Sequence, residues 1–301
     1  MDLKKVGNPK QLISAYELTI TDGSARGKKC ILVHNQTLEV MFNADNALDI
    51  AWVKFNGVNV SYLSSNGLNS NDGAFKYKFD GGFLYTCGLD NLSAIEKDKP
   101  IHGSMHYKKA ENVYYTIEDD VVTVCGTVLN CGLRGPNLIV KRKYQISADK
   151  ITVNDTIFND NYSNADFALL YHTNFSYPFL DSCSYLEFDE LDTDPAYEYC
   201  KELVKDCKKM HEPLDTGREE LYFHTLKNNR VKLTNPKLKI SCSMEFDSIN
   251  FPYLVEWKNL FSGCYVLGLE PTTTKFKDYK KIVLTPQEKR TLNMSVKFEK
   301  I

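Results

Sequence analysis

Short runs of β-branched and apolar residues, cut every few positions by Asn, Gly or Asp, recur over most of this chain. That rhythm constrains the fold more than any other feature. A buried helix needs apolar residues three and four apart over ten or more positions, whereas a strand needs only four to eight with alternate or continuous apolar character. Val121-Val122-Thr123-Val124-Cys125-Gly126-Thr127-Val128-Leu129 is largely β-branched and stops at Asn130. After the turn signal Gly135-Pro136-Asn137, Leu138-Ile139-Val140 runs on to Tyr144, and its charged second half predicts a strand that leaves the core for solvent. Ile151 to Ile157 and Thr291 to Phe298 alternate as half-buried strands do, and further strands are expected at 239–246 and 282–284. Phe167-Ala168-Leu169-Leu170-Tyr171 is continuous and short, which predicts a central strand covered on both faces.

One segment reads as a helix. Asp194 can cap it, Pro195 suits its first turn, and Tyr199, Leu203 and Cys207 give a sparse apolar stripe through to Met210. It lies in a polar stretch over 189–220 that reads as an insertion between sheets. No repeat, low-complexity tract or Pro/Gly/Ser-rich linker divides the 301 residues. One all-β domain over 1–301 is therefore expected, of antiparallel sheets packed face to face.

A net charge of -2 argues against a nucleic-acid partner, because phosphate contacts need a basic surface. No apolar run approaches the roughly 18 residues of a membrane span. The opening Met1-Asp2-Leu3-Lys4-Lys5-Val6 has no apolar signal core, which predicts a cytoplasmic protein. Nine cysteines scattered in strand-like contexts predict reduced core thiols. Without Cys/His ligand spacing no metal is expected.

Against this background Gly268-Leu269-Glu270-Pro271 stands out, directly after the apolar run Cys264-Tyr265-Val266-Leu267. A carboxylate at the end of a buried strand is poorly explained by packing, since charged groups are rarely buried unless paired or used. Two histidines occupy similar strand-end settings, His102 before Gly103 and His172 in Leu170-Tyr171-His172-Thr173-Asn174. Together the three suggest acid/base chemistry on a neutral ligand. Trp257 offers a flat platform to the apolar face of such a ligand, and Lys258 could hydrogen-bond a hydroxyl. His224, on the apolar run Leu221-Tyr222-Phe223-His224, could line the cleft. His34, His106 and His211 have no such context.

In order along the chain stand Leu48-Asp49-Ile50 with Phe55-Asn56-Gly57; Gly81-Gly82-Phe83-Leu84-Tyr85-Thr86-Cys87-Gly88-Leu89; His102-Gly103; Leu170-Tyr171-His172-Thr173-Asn174 with Tyr177-Pro178; Glu256-Trp257-Lys258; and Gly268-Leu269-Glu270-Pro271. In these six segments the chain resembles the galactose mutarotase-like (aldose 1-epimerase) superfamily, and within it a less characterised branch of aldose epimerases. The resemblance implies a large antiparallel β-supersandwich with a carbohydrate cleft on one sheet and anomer interconversion without metal or organic cofactor. It makes Glu270 the general base, His172 the general acid and His102 an assisting histidine. Asp49 and Asn174, inside matched segments, become sugar contacts beside Trp257, Lys258 and His224.

The chain departs from the family where Asn46-Ala47-Leu48 replaces a segment that usually holds Arg, and where Ser104 follows His102-Gly103 in place of Arg. Arg suits bidentate polar contacts, so an altered grip on the sugar is expected. Two other readings stay open at this level: a carbohydrate-binding protein without catalysis, and an epimerase of a phosphorylated sugar.

Overall fold

The structure is a computed structural model that describes residues 3–133 and 135–301. Two large sheets face each other. One has eight strands in the order Tyr185–Glu187, Arg230–Asn235, Ile240–Phe246, Lys289–Lys300, Lys150–Asn159, Asn137–Ser147, Val121–Cys131 and Ala110–Glu118. The other runs Glu190–Pro195, Glu220–Leu226, Tyr253–Phe261, Cys264–Thr272 and Ala165–Ser176; this last strand also pairs with Leu84–Leu89 and, at its start, with Ile282–Leu284. A five-stranded sheet from the first sixty residues leans on the same core. Neighbouring strands within these sheets are antiparallel, and the chain is all-β.

Alternation decides what the core is made of. Tyr144, Val153, Met294 and Phe298 point inward from the eight-stranded sheet to meet Leu169, Tyr171, Phe175, Leu267 and Leu269 from the other. Each such side chain contributes on the order of 1.5–3 kcal/mol by leaving water. The second face of the Ala165–Ser176 strand is covered as well. Ala168 and Leu170 join Tyr85, Cys87, Phe223 and Val255 in a smaller cluster, so the strand is central and buried on both sides.

Two local expectations are corrected. The strand through Lys141-Arg142-Lys143 does not emerge into solvent. Lys141 and Lys143 face outward, while Arg142 points inward and is fully buried against Asp155 and Asp49. Nor is there one α-helix after Asp194. Asp194 and Pro195 finish an edge strand paired to Phe223 and Tyr222, and two short 3-10 turns, Glu198–Glu202 and Val204–Asp206, follow. The sparse stripe supplies too little burial for a helix, since Leu203 stays exposed. Proline is tolerated there because an edge strand needs no second ladder of hydrogen bonds. All nine cysteines are free thiols.

Candidate active site

The cleft lies on the outer face of the seven-stranded sheet, and strand register builds its floor. Leu170 pairs with Thr272 and Asn174 with Gly268, so His172 and Glu270 fall opposite each other on adjacent strands. Tyr85 stands beside His172 on the other flank, and Val255 beside Glu270. A cross-strand pair of this kind brings side chains to within contact without help from any loop. His172 Nε2 lies 3.1 Å from Glu270 Oε1, with the two residues 4% and 3% exposed. Neither Glu270 Oε1 nor His172 Nδ1 has a hydrogen-bond partner.

The glycine of Gly268-Leu269-Glu270-Pro271 has a specific task. Residues 268 and 270 share a face of the strand, and a Cβ at 268 would sit 2.3 Å from Glu270 Oε1 and 3.3 Å from the His172 ring. Only glycine leaves room for the carboxylate to meet the imidazole. Leu269, between them, plugs the inter-sheet core.

His102 comes from a turn rather than a strand. Its φ is +64°, its N–H donates to Ser93 O, and its carbonyl accepts from Gly88 N at 2.9 Å. A Cβ on Gly103 would stand 2.3 Å from Gly88 O, so the turn docks on the strand end only with glycine there. The His102 ring meets the His172 ring edge-on, with centroids 5.6 Å apart.

These groups open into a cavity of about 750 Å³. Phe75, Phe79, Trp257, Phe223 and Phe276 form its aromatic walls, and Asp194, Tyr197, Glu198 and Lys201 of the 189–220 stretch form part of its rim. Glu219 is a second carboxylate in the cavity. It accepts from Trp257 Nε1 and from Tyr197 Oη, both at 2.8 Å, and so fixes the indole plane.

Burial sets the protonation preferences. It pushes the Glu270 carboxyl well above the usual carboxylate range, with the charge of Glu219 adding to the effect. It pushes His172 well below an ordinary histidine, helped by His102. His102 itself is held down at about 4 by burial and by the charge of His106.

The structure brings Glu270, His172, His102 and Trp257 together and separates the other expected contacts from them. Lys258 and His224 lie on the opposite face of the sheet. Side chains alternate along a strand, so Trp257 in the cleft places Lys258 behind it, and Phe223 in the cleft places His224 behind it. There His224 Nε2 lies 2.9 Å from Glu256 Oε2, and Lys258 Nζ is 3.0 Å from Glu220 and 3.7 Å from Glu256. Cys207, His224 and Glu256 gather potential ligand atoms within 4.8 Å, a grouping that sequence spacing hides; Lys258 supplies the positive charge beside it.

Asp49 is likewise beneath the floor. It accepts from Thr86 N and Oγ1 and from Arg142 Nη1, and it contacts His106 Nδ1 at 2.7 Å. Asn174 is fully buried, and its amide donates to Gly82 O and His172 O, which steadies the His172 strand and leaves it outside the cavity lining. Glu219, Phe75, Phe79 and His106 were missed. Glu219 sits in Arg218-Glu219-Glu220, which reads as a solvated charge run, and only the four-residue spacing of Phe75 and Phe79 hinted at a shared face.

Residues 25–297 match the family described as a domain of unknown function, DUF4432. No curated protein matches the chain. Among solved structures, a candidate aldose 1-epimerase from Klebsiella pneumoniae superposes with a TM-score of 0.85 at 16% identity, covering 96% of this chain and 88% of that one. A galactose mutarotase-like protein from Clostridium acetobutylicum gives 0.70 at 16% identity, covering 97% and 100%. A galactose mutarotase related enzyme from Lactobacillus acidophilus gives 0.63 at 12%, covering 90% and 97%. At such identities the likeness shows the fold, a galactose mutarotase-like β-supersandwich.

Proposed function

The chain belongs to the DUF4432 family, and we propose that it is an aldose 1-epimerase-like mutarotase acting on a free, neutral sugar. One observation carries this reading. A buried carboxylate and a buried imidazole stand 3.1 Å apart on the floor of an aromatic cavity, each with a polar atom left without a partner. Such atoms are expensive to bury unless a ligand meets them.

Glu270 takes the proton of the C1 hydroxyl as His172 gives one to the ring oxygen. The O1–C1 electron pair becomes the carbonyl, the bond from C1 to the ring oxygen breaks, and the open aldehyde rotates about C1–C2. The same steps in reverse close the other anomer, with both groups returned to their starting states. A carboxyl pushed up and an imidazole pushed down put the pair's one proton on Glu270 in the free protein, and its passage to His172 across the 3.1 Å gap makes the base and the acid that the first half-reaction uses. His102 keeps a cation away from this proton above about pH 4. Trp257, braced by Glu219, offers its face to the apolar side of the ring. The fully buried Arg142 faces Asp49 and Asp155, and the cavity lining carries four acidic groups, Asp194, Glu198, Glu219 and Glu270, against Lys201 and Lys277, which favours a neutral substrate over a phosphorylated one. We take the whole chain as one catalytic domain, because strands from both ends share its core.

An NMR anomer-exchange screen over aldoses, ketoses and their phosphates tests the proposal. At least one free sugar should exchange faster with the wild-type protein and not with Glu270→Gln. Saturable sugar binding without any acceleration would replace the enzyme with a binding protein.

A further inference from the structure

Behind Tyr85 lies a titratable group that the reaction above does not use. His106 is buried on the one-turn helix Met105–Tyr107 and stacks on Tyr85 with centroids 3.7 Å apart. Its Nδ1 is 2.7 Å from Asp49 Oδ2 and its Nε2 is 3.4 Å from Asp80 Oδ1. An imidazole that hydrogen-bonds one carboxylate and has a second within ion-pair distance of its other nitrogen is favoured as a cation.

The two carboxylates belong to different parts of the cleft. Asp49 is fixed under the floor by Thr86 and Arg142. Asp80 ends the segment 74–80 that carries the wall residues Phe75 and Phe79. From outside, that segment is tied by the side chains of Asn66, Asn69 and Asn71, which donate to the carbonyls of Phe79, Lys78 and Tyr77. On the inside Asp80 Oδ1 has no hydrogen-bond partner; its close approach is to His106.

We propose that His106 is a positioning residue, an imidazolium that fastens the wall bearing Phe75 and Phe79 to the floor of the cleft. This role rests on the cleft being a ligand site, while the fastening itself is a property of the free protein. Burial works against the charge, but Asp80 and Asp49 raise the group to about 9. The other groups facing this assembly are Tyr85, Tyr107, His102, Arg142 and Lys28. Tyr85 is pushed up by burial, Tyr107 is pushed up to about 12, and His102 is held down at about 4. Lys28, which faces Asp80 at longer range, is lowered by burial and is the one competitor as the pH rises.

Hydrogen exchange of the Tyr77 and Phe79 amides, which donate to Ala74 O and Phe75 O, reads the fastening on the full chain without sugar. Above the change in intrinsic rate, protection should fall about 10-fold as pH passes through about 9, with the Ala165–Ser176 strand unaffected. His106→Gln should show the loosened state already at pH 7 and lose the pH dependence, and Lys28→Met should keep it. With a competent sugar, His106→Gln should raise KM about 10-fold with little change in kcat. Equal protection in wild type and His106→Gln, or an alkaline transition that survives in His106→Gln and vanishes in Lys28→Met, overturns the proposal. If His106→Gln does not fold, Asp80→Asn takes its place: early loosening at pH 7 supports the fastening, and wild-type protection at every pH overturns it. If no sugar is turned over, the proposed activity fails and the exchange result still stands.

Discussion

Two histidine–glutamate pairs lie on the same sheet, a strand or two apart, and their surroundings give them opposite meanings. On the outer face His172 and Glu270 stand 3.1 Å apart with an unpartnered atom on each residue. On the inner face His224 and Glu256 stand 2.9 Å apart, and both histidine nitrogens are engaged, Nδ1 by Thr193 Oγ1 and Nε2 by Glu256. Lys258 Nζ stands 3.7 Å from Glu256 Oε1, an oxygen without a hydrogen bond, so the inner pair has a cation beside it. Residue type and burial are nearly identical, so neither separates function from structure. Charge and access do: the unbonded Glu256 Oε1 has the Lys258 ammonium 3.7 Å away and lies outside the cavity, whereas His172 and Glu270 line the cavity and no lysine or arginine forms an ion pair with Glu270 among the described residues.

The comparison breaks most readily by removing one acid or base from each pair. Glu270→Gln and His172→Asn should each slow anomer exchange by roughly 10²–10⁴-fold, the range for a positioned proton-transfer group, with circular dichroism unchanged. Glu256→Gln should instead lower the free energy of unfolding by roughly 3–5 kcal/mol, as breaking a buried pair usually does, with little loss of rate per folded molecule. Denaturant unfolding alongside the exchange assay measures both. Activity lost without stability in Glu256→Gln would mean the inner pair is catalytic.

A finer probe leaves the pair itself intact. Gly268→Ala adds a Cβ where Glu270 Oε1 lies 2.3 Å away, so the carboxylate must move. A displacement of about 1 Å can reduce a rate by about 10²-fold, which is the expected loss in kcat. Gly263→Ala, which meets open space but has φ +81°, should carry a fold penalty without this kinetic effect.

Much of this was legible in the strand pattern. Periodicity gave the antiparallel class, the doubly buried strand at Phe167 to Tyr171, and the strand-end setting of Glu270. The misplaced cleft contacts on the Trp257 and Phe223 strands share one physical cause. Neighbouring residues on a strand face opposite ways, so Trp257 and Lys258, or Phe223 and His224, cannot both line one cleft, and a motif read as a block hides that. Arg142 was misread for the same reason, because two exposed lysines flank a residue pointing inward. Glu219 and His106 acquire their meaning only from partners distant in sequence, Trp257 for one and Asp49 and Asp80 for the other. No local signal carries those.

The smallest expected effect is the one that separates the pairs most cleanly. Burial holds the Glu270 carboxyl well above the 4.5 of an ordinary glutamate, so between the two values the native chain binds a proton that the unfolded chain has released. Stability from this group is complete below about pH 4.5 and is lost as pH rises toward the folded value. Glutamine cannot titrate, so Glu270→Gln should unfold like the wild type near pH 4 and be more stable near pH 7. A gain of about 1 kcal/mol is in the range found when a strained active-site group is neutralised. The same substitution at Glu256 should destabilise, because there the carboxylate is held by His224 and Lys258. Opposite signs for one substitution, at two buried glutamates of one sheet, would mark the outer pair as a site kept at the expense of the fold, and equal signs would remove the distinction.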